Sequence, residues 1–233
     1  MDKQGNTYTF IYASVMVIAV ASILAYLSQA LKPMQDKNAE VAKKIEILKS
    51  VNLESTANDA EAKYEKYIGS NAYVLNNKGE KIEGNAFTID MAKELKKDTA
   101  SRSYPVYECS LENGEKKFII PLRGKGLWGP IWGYISLNQD KNSIYGATFG
   151  HKGETPGLGA EIDKPPFQEP FIGKTLFDEN GKFVSIMVMK AGAGKGTNHE
   201  VNAISGGTIT SKGVEAMLKD CLSGYKIFLQ NKN

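Results

Sequence analysis

Cysteine, histidine and tryptophan are scarce, with two of each in 233 residues. Cys109 and Cys221 lie far apart and form no C-x-x-C pair, so zinc-knuckle and thioredoxin-type chemistry are not indicated. They either pair, if the domain sits outside the cytoplasm, or pack as two buried thiols, and both readings stay open. His151 has no second histidine four residues on, and His199 is remote, so no metal site is read. Net charge is also small: 29 Lys and Arg against 26 Asp and Glu give +3. With no aromatic residues interleaved among basic runs, that balance argues against a nucleic-acid partner. No P-loop pattern is present, and no G-x-G-x-x-G dinucleotide fingerprint is read, so neither a P-loop fold nor a Rossmann half is expected. The chain shows no internal repeat and no lipobox cysteine after its apolar run.

What is there begins at the N-terminus. "FIYASVMVIAVASILAYL", from Phe10 to Leu27, carries no charge, and "SQAL" extends the run to Leu31. A helix of that length crosses a hydrocarbon core of about 30 Å. Tyr8, Tyr12 and Tyr26 lie near its ends, where amphipathic rings favour the interface. A signal peptide or a buried core helix is the bland alternative. Only Lys3 supplies side-chain charge before the run, and Asp2 offsets it. The run is also long for a signal sequence, so a retained single span is the reading. Lys32 and Lys37, with Asp36 between them, follow the span, and lysine counting gives no orientation.

The chain is expected to divide into a tail (1–9), a span (10–31), stalk or docking helices (32–68) and one domain (69–233). In the stalk, Pro33 marks a kink or a fresh helix start. Val41, Ile45 and Leu48 keep helical spacing, with Ile47 beside them, and predict one apolar stripe that docks on the domain. The domain itself is expected to be mixed α+β, with more strands than helices. Strand pairs flank the turns at Asn76–Gly79 and Asn113–Gly114, and further strands follow around Trp132, around Tyr145 and after Asn180–Gly181. "AFTIDMAKELKKD" is ambiguous between helix and strand. The last segment predicts an amphipathic helix bearing Val214, Met217, Leu218 and Cys221, with Thr210 or Ser211 as its N-cap.

Three glycine-rich stretches stand out. "PLRGKGLWGPIWG" holds both tryptophans, Trp128 and Trp132, against which a planar ligand stacks unless the stretch is only a tight corner with core tryptophans. "GHKGETPGLGAEI" presents backbone N–H groups and the Glu154 carboxylate, unless it is an ordinary surface loop. "SGGTITSKGV" places Ser205, Gly206, Gly207, Thr208, Thr210 and Ser211 ahead of a helix start, where the partial positive charge of a helix N-terminus favours phosphate. Simple helix capping explains the same residues.

Together, the single span, "GLWG", "ETPGLGAEI" and "SGGTITSKGV" make the chain resemble the C subunits of the sodium-translocating NADH:quinone reductases. The G subunits of the Rnf electron-transport complexes are similar. Both belong to a family of FMN-binding domains with covalently attached flavin. The resemblance covers nearly the whole chain. Its C-terminal motif, usually S-G-A-T-x-T-S after an aspartate, falls on Ser205–Ser211, with Gly207 in place of the alanine and Asn202 in place of the aspartate.

That resemblance implies FMN joined by a phosphoester to Thr208, with the bond made from FAD by a dedicated flavin transferase. It implies that Ser205, Gly206, Gly207, Thr210 and Ser211 lie by the cofactor. Leu127, Trp128, Glu154, Thr155, Gly157 and Leu158 become candidate walls for the isoalloxazine ring, with Glu154 accepting from a ring N–H. No catalytic acid or base is expected. The implied role is an electron relay in a membrane complex that couples NADH oxidation and quinone reduction to sodium export. The chain would be one subunit among membrane and soluble partners, not a complete enzyme. It would be anchored in the bacterial inner membrane by one span, with the FMN domain in the periplasm. The alternatives are an Rnf subunit working between ferredoxin and NAD, and a membrane-anchored assembly or binding domain without covalent flavin.

Overall fold

In the computed structural model, which describes residues 5–190, 192–193 and 196–231, one long helix, α1 (Asn6–Ser50), opens the chain. Residues 1–4, with Asp2 and Lys3, lie outside the described residues. The helix starts at Asn6, ahead of Phe10, and runs through Pro33, so no new helix begins there. The chain divides into two compact units, one ending at Lys43 and the other comprising Lys44–Asn233. In the first unit the most apolar window of α1 has a mean hydropathy of 2.3 and no buried share. A helix apolar on all sides needs a protein core or lipid around it. By length and composition this one can cross a membrane.

The second unit contains the end of α1 and then α2 (Ala60–Tyr67), β1 (Ala72–Leu75) and β2 (Lys81–Ile82). The ambiguous segment that follows becomes a 3-10 turn and a single helical turn, α3 (Met91–Glu94), capped by the Asp90 carboxylate. Then come β3 (Tyr104–Ser110), β4 (Lys116–Lys125), β5 (Pro130–Leu137) and β6 (Ile144–His151). These strands form one antiparallel sheet in the order β2-β1-β3-β4-β5-β6. After the short α4 (Pro165–Gln168), β7 (Met187–Met189) pairs in parallel with β8 (Glu200–Asn202). The strand expected after Gly181 is therefore only β7 in its regular part, and its Ala191 lies outside the described residues. Helices α5 (Thr208–Ser223) and α6 (Lys226–Gln230) close the chain.

Period-two alternation sorts the sheet into two faces. Phe118, Ile120 and Leu122 of β4 join Ile131 and Ile135 of β5 in one core, which α5 completes with Val214, Met217, Leu218 and Cys221. On the other face Tyr107, Cys109, Ile119 and Tyr134 meet Ile47 and Leu48 from the end of α1, Val51 just after it, Tyr64 from α2 and Ile68 at the C-cap of α2. The two thiols are free and belong to different cores, so they do not pair.

The apolar stripe of α1 lies further along the helix than its spacing suggested. Val41 and Ile45 are only half-buried, whereas Ile47, Leu48 and Val51 are sealed, each such side chain contributing about 1.5–3 kcal/mol. The Ser50 carbonyl accepts from the Ser136 hydroxyl. A Cβ on Gly146 would come within 2.3 Å of that carbonyl, so the helix end reaches β6 only because residue 146 is glycine.

Candidate functional site

The three glycine-rich stretches meet at one corner of the domain. Gly124, Gly126 and Gly129 have the G-x-G-x-x-G spacing, yet they sit at the β4–β5 hairpin and open no helix, so the spacing carries no dinucleotide meaning here. Their use is steric. A Cβ on Gly124 would lie 2.7 Å from the Met217 side chain, and one on Gly126 would lie 2.6 Å from Glu154 Oε1. The hairpin tip can thus press against α5 on one side and Glu154 on the other.

Helix α5 begins earlier than expected. Gly207 is its N-cap, Thr208 its first residue, and no side chain caps it. Gly206, at φ +76, turns the chain into the helix, a conformation in which glycine avoids the Cβ clash. Thr210 and Ser211 are therefore inside the first turn and not at the cap. Ser211 is buried, and its hydroxyl accepts from Ile204 N–H at 3.1 Å. Gly207 also stands where the related motif has alanine. A Cβ there would lie 3.1 Å from Ile204 and from the Leu158 carbonyl carbon, so an alanine needs these neighbours to give by a few tenths of an ångström.

Glu154 is the hub. It is 4% exposed. Oε1 accepts from Trp128 N–H at 2.9 Å and Oε2 accepts from the Thr210 hydroxyl at 2.5 Å. Burial pushes this carboxyl up, but the Thr210 hydroxyl and the backbone N–H groups of the hairpin tip outweigh it and hold it below the ordinary value of 4.5. With those bonds made, the carboxylate braces the hairpin against α5 while still lining the cavity. His151 Nδ1 accepts from Glu154 N–H at 3.1 Å, while its Nε2 lies 3.7 Å from Asp163 Oδ2, so the imidazole pins the loop. Gly159 makes the close approach possible: a Cβ there would lie 2.4 Å from Thr210 Oγ1 and 2.7 Å from Glu154 Oε2.

Around this hub lies a cavity of about 260 Å³. Leu127 and Trp128 line it from the hairpin, and Glu154, Thr155, Leu158 and Gly159 line it from the loop. Gly206, Gly207, Thr208, Ile209 and Thr210 line it from the start of α5. Of the residues singled out in sequence, three do not line it. Ser205 is exposed just upstream, Ser211 is buried behind the first turn, and Gly157 sits at a loop turn with φ +74, its N–H donating to Glu161. Gly159 and Ile209 are additions. Ile209 is 61% exposed, an apolar residue on the open side of an amphipathic helix, and that misfit with the core pattern is the signal that marks it.

Larger clefts of about 650, 730 and 740 Å³ lie elsewhere on the domain. Size is a poor guide here, because of these four cavities among the described residues it is the small one that draws on all three stretches. At about 260 Å³ it falls below the roughly 300–1,000 Å³ of pockets that enclose a small molecule. A flavin-sized group would leave part of itself against the exposed rim, where Trp128 is 70% exposed. Thr208 is an exposed residue at the N-terminus of a 16-residue helix, where phosphate charge is favoured.

A sequence profile of the FMN-binding domain family matches residues 126–223, a span that takes in the hairpin, the Glu154 loop and α5. The C subunit of the Na(+)-translocating NADH-quinone reductase of Vibrio vulnificus (strain YJ016) is 32% identical over 209 residues, covering 83% of this chain and 81% of its own length. The corresponding C subunit of Pseudomonas aeruginosa is 29% identical over 255 aligned positions, covering 99% of this chain and 97% of its own. Among solved structures, the C subunit of the Parabacteroides distasonis ATCC 8503 reductase superposes with a TM-score of 0.81 at 47% identity, over 87% of this chain and 98% of that one. The Shewanella oneidensis protein NqrC gives a TM-score of 0.70 at 26% identity, over 83% of this chain and 97% of that one.

Proposed function

The chain belongs to the family of C subunits of the Na(+)-translocating NADH-quinone reductases, and from that premise we propose that it holds FMN covalently on Thr208 and relays electrons within that complex. It is a subunit of the enzyme and not the whole of it. The Vibrio, Pseudomonas and Parabacteroides relatives are all reductase subunits, which favours this complex over an Rnf assembly.

One observation carries the attachment. Among Ser205, Thr208, Thr210 and Ser211, only Thr208 combines an exposed side chain with a place in the cavity wall. Thr210 and Ser211 are buried, and their hydroxyls are engaged by Glu154 and by Ile204 N–H. Ser205 is exposed but outside the cavity. A flavin transferase acting on the folded domain would therefore meet Thr208. The Thr208 oxygen would bond to the flavin-bearing phosphorus of FAD, the pyrophosphate link would break, and AMP would leave as the hydroxyl proton is lost.

The residues fit the group. The first-turn N–H groups of α5 and its dipole suit a phosphodiester charge. Leu127, Trp128, Leu158 and Ile209 form an apolar rim suited to an aromatic ring system. When bound, FMN supplies one-electron transfer; the protein supplies position, tether and environment. The apolar helix, read as the 10–31 span, would anchor the chain in the inner membrane beside partner subunits. The domain would stand on the periplasmic side, as the family resemblance implies.

The test is in-gel flavin fluorescence after SDS denaturation of the chain co-expressed with a flavin transferase. Wild type should fluoresce and Thr208→Ala should be dark, with Ser205→Ala unaffected. A dark wild-type band beside a labelled control substrate, or a bright T208A band, would sink the reading.

A further inference from the structure

We infer that Glu154 is a positioning residue that keeps a fixed negative charge beside the flavin site and thereby lowers the reduction potential of the flavin held there. This role rests on the FMN reading above and goes beyond what the walls of a cavity by themselves require.

Both oxygens of the carboxylate are committed, one to the hairpin through Trp128 N–H and one to α5 through the Thr210 hydroxyl. The backbone N–H groups of Leu127 and Gly129 at the hairpin tip also favour the anion. A carboxylate that accepts several hydrogen bonds is stabilised as the anion. Its neighbours are fixed as well, because Gly126 and Gly159 leave no room between it and the backbone. The carboxylate also lines the cavity and is nearly excluded from water. A negative charge in such a place is poorly screened, so adding an electron to a group in the cavity is opposed. The donors are neutral dipoles and do not cancel a full charge at that range.

The titratable groups nearest the cavity-lining residues in sequence are Arg123 and Lys125 on the hairpin, His151, Lys152, Glu161 and Asp163 on the loop and its continuation, and Lys212 and Glu215 on α5, with Lys219 and Asp220 further along that helix. His151 bonds the backbone N–H of Glu154 and not its carboxylate. These groups are the same in a Glu154→Gln variant. The difference in potential between wild type and E154Q therefore isolates the one charge, along with any protons that the flavin itself takes up.

The experiment uses the full chain, flavinylated by co-expression with the transferase, and measures the midpoint potential of the FMN by spectroelectrochemical titration from pH 3 to 8. E154Q keeps the size of the side chain and an oxygen for Trp128 N–H. Its potential should exceed that of wild type at neutral pH, and the gap should persist down to the ordinary carboxyl value of 4.5 and close only below it. Glu154→Asp, which keeps the charge, should move back toward wild type. Thr210→Val removes one donor and retains the carboxylate, so its potential should rise above wild type beginning at a higher pH. That variant also serves if E154Q does not fold. A fluorescent wild type whose potential matches that of E154Q, or a T210V profile that superimposes on wild type, would overturn the inference and leave the FMN reading intact. A wild-type chain without covalent flavin would overturn both, and the gel distinguishes the two failures.

Discussion

Thr210 and Glu154, 56 residues apart, are joined by a hydroxyl-to-carboxylate hydrogen bond of 2.5 Å. That bond ties the first turn of α5 to the loop after β6. The same carboxylate reaches the β4–β5 hairpin through Trp128 N–H. Three segments that no local signal connects are held in one place by one side chain.

The first consequence is a pH dependence of stability. Glu154 is held below its ordinary value of 4.5 in the folded chain, so it contributes stability that is fully present above that value. The contribution is lost as the pH falls through the lower folded value. Urea unfolding of the unmodified chain between pH 3 and 7 should show wild type losing stability on the acid side. E154Q should be less stable than wild type at pH 7 and should converge toward it in acid. Parallel curves for the two proteins would refute the assignment.

Gly159 is a second point of leverage. An alanine methyl there would lie 2.4 Å from Thr210 Oγ1 and 2.7 Å from Glu154 Oε2. Neither atom can move without breaking the bond between them. Gly159→Ala should destabilise the domain by about 1–3 kcal/mol, as overpacking does. It should also reduce flavin loading at Thr208, read as fluorescence per mole of purified chain. Gly153→Ala, at a position with open space around it, is the control and should change neither.

The thiols give a third prediction. Burial pushes Cys109 and Cys221 up to about 11, and each sits in its own core. The thiolate is the reactive form, so both should resist alkylation at pH 8 in the folded chain and react in denaturant. Mass spectrometry of iodoacetamide-treated protein counts the adducts. Rapid labelling of either thiol under native conditions, or a pair of thiols that stays unlabelled in denaturant, would contradict the packing.

Much of the architecture was legible along the chain. The strands on either side of the Asn113–Gly114 turn could be read because alternation and turn chemistry are local properties, and Gly114 does take φ +82 there. The final helix was readable for the same reason, since Val214, Met217, Leu218 and Cys221 all face one core. Its N-cap was not. Thr210 and Ser211 have the chemistry of capping residues, but their hydroxyls are drawn to Glu154 and Ile204, partners supplied by the packing of α5 against the loops. The register of the α1 stripe shifted toward Val51 because the sheet, and not the helix, decides which turn is covered.

By itself the sequence determined the apolar N-terminal helix, the succession of strands and the motif that carries the family resemblance. Each depends on residues within a few positions of one another, whose spacing and chemistry act without the rest of the fold. Tertiary structure alone decided that Glu154 braces the hairpin against α5, that the Thr210 hydroxyl is engaged by that carboxylate while Thr208 stays exposed at the cavity, and that the two cysteines lie on opposite faces of the sheet. Those are outcomes of which donors and surfaces the topology brings within bonding distance. A hydrogen bond between residues 56 positions apart has no trace in the local pattern of either.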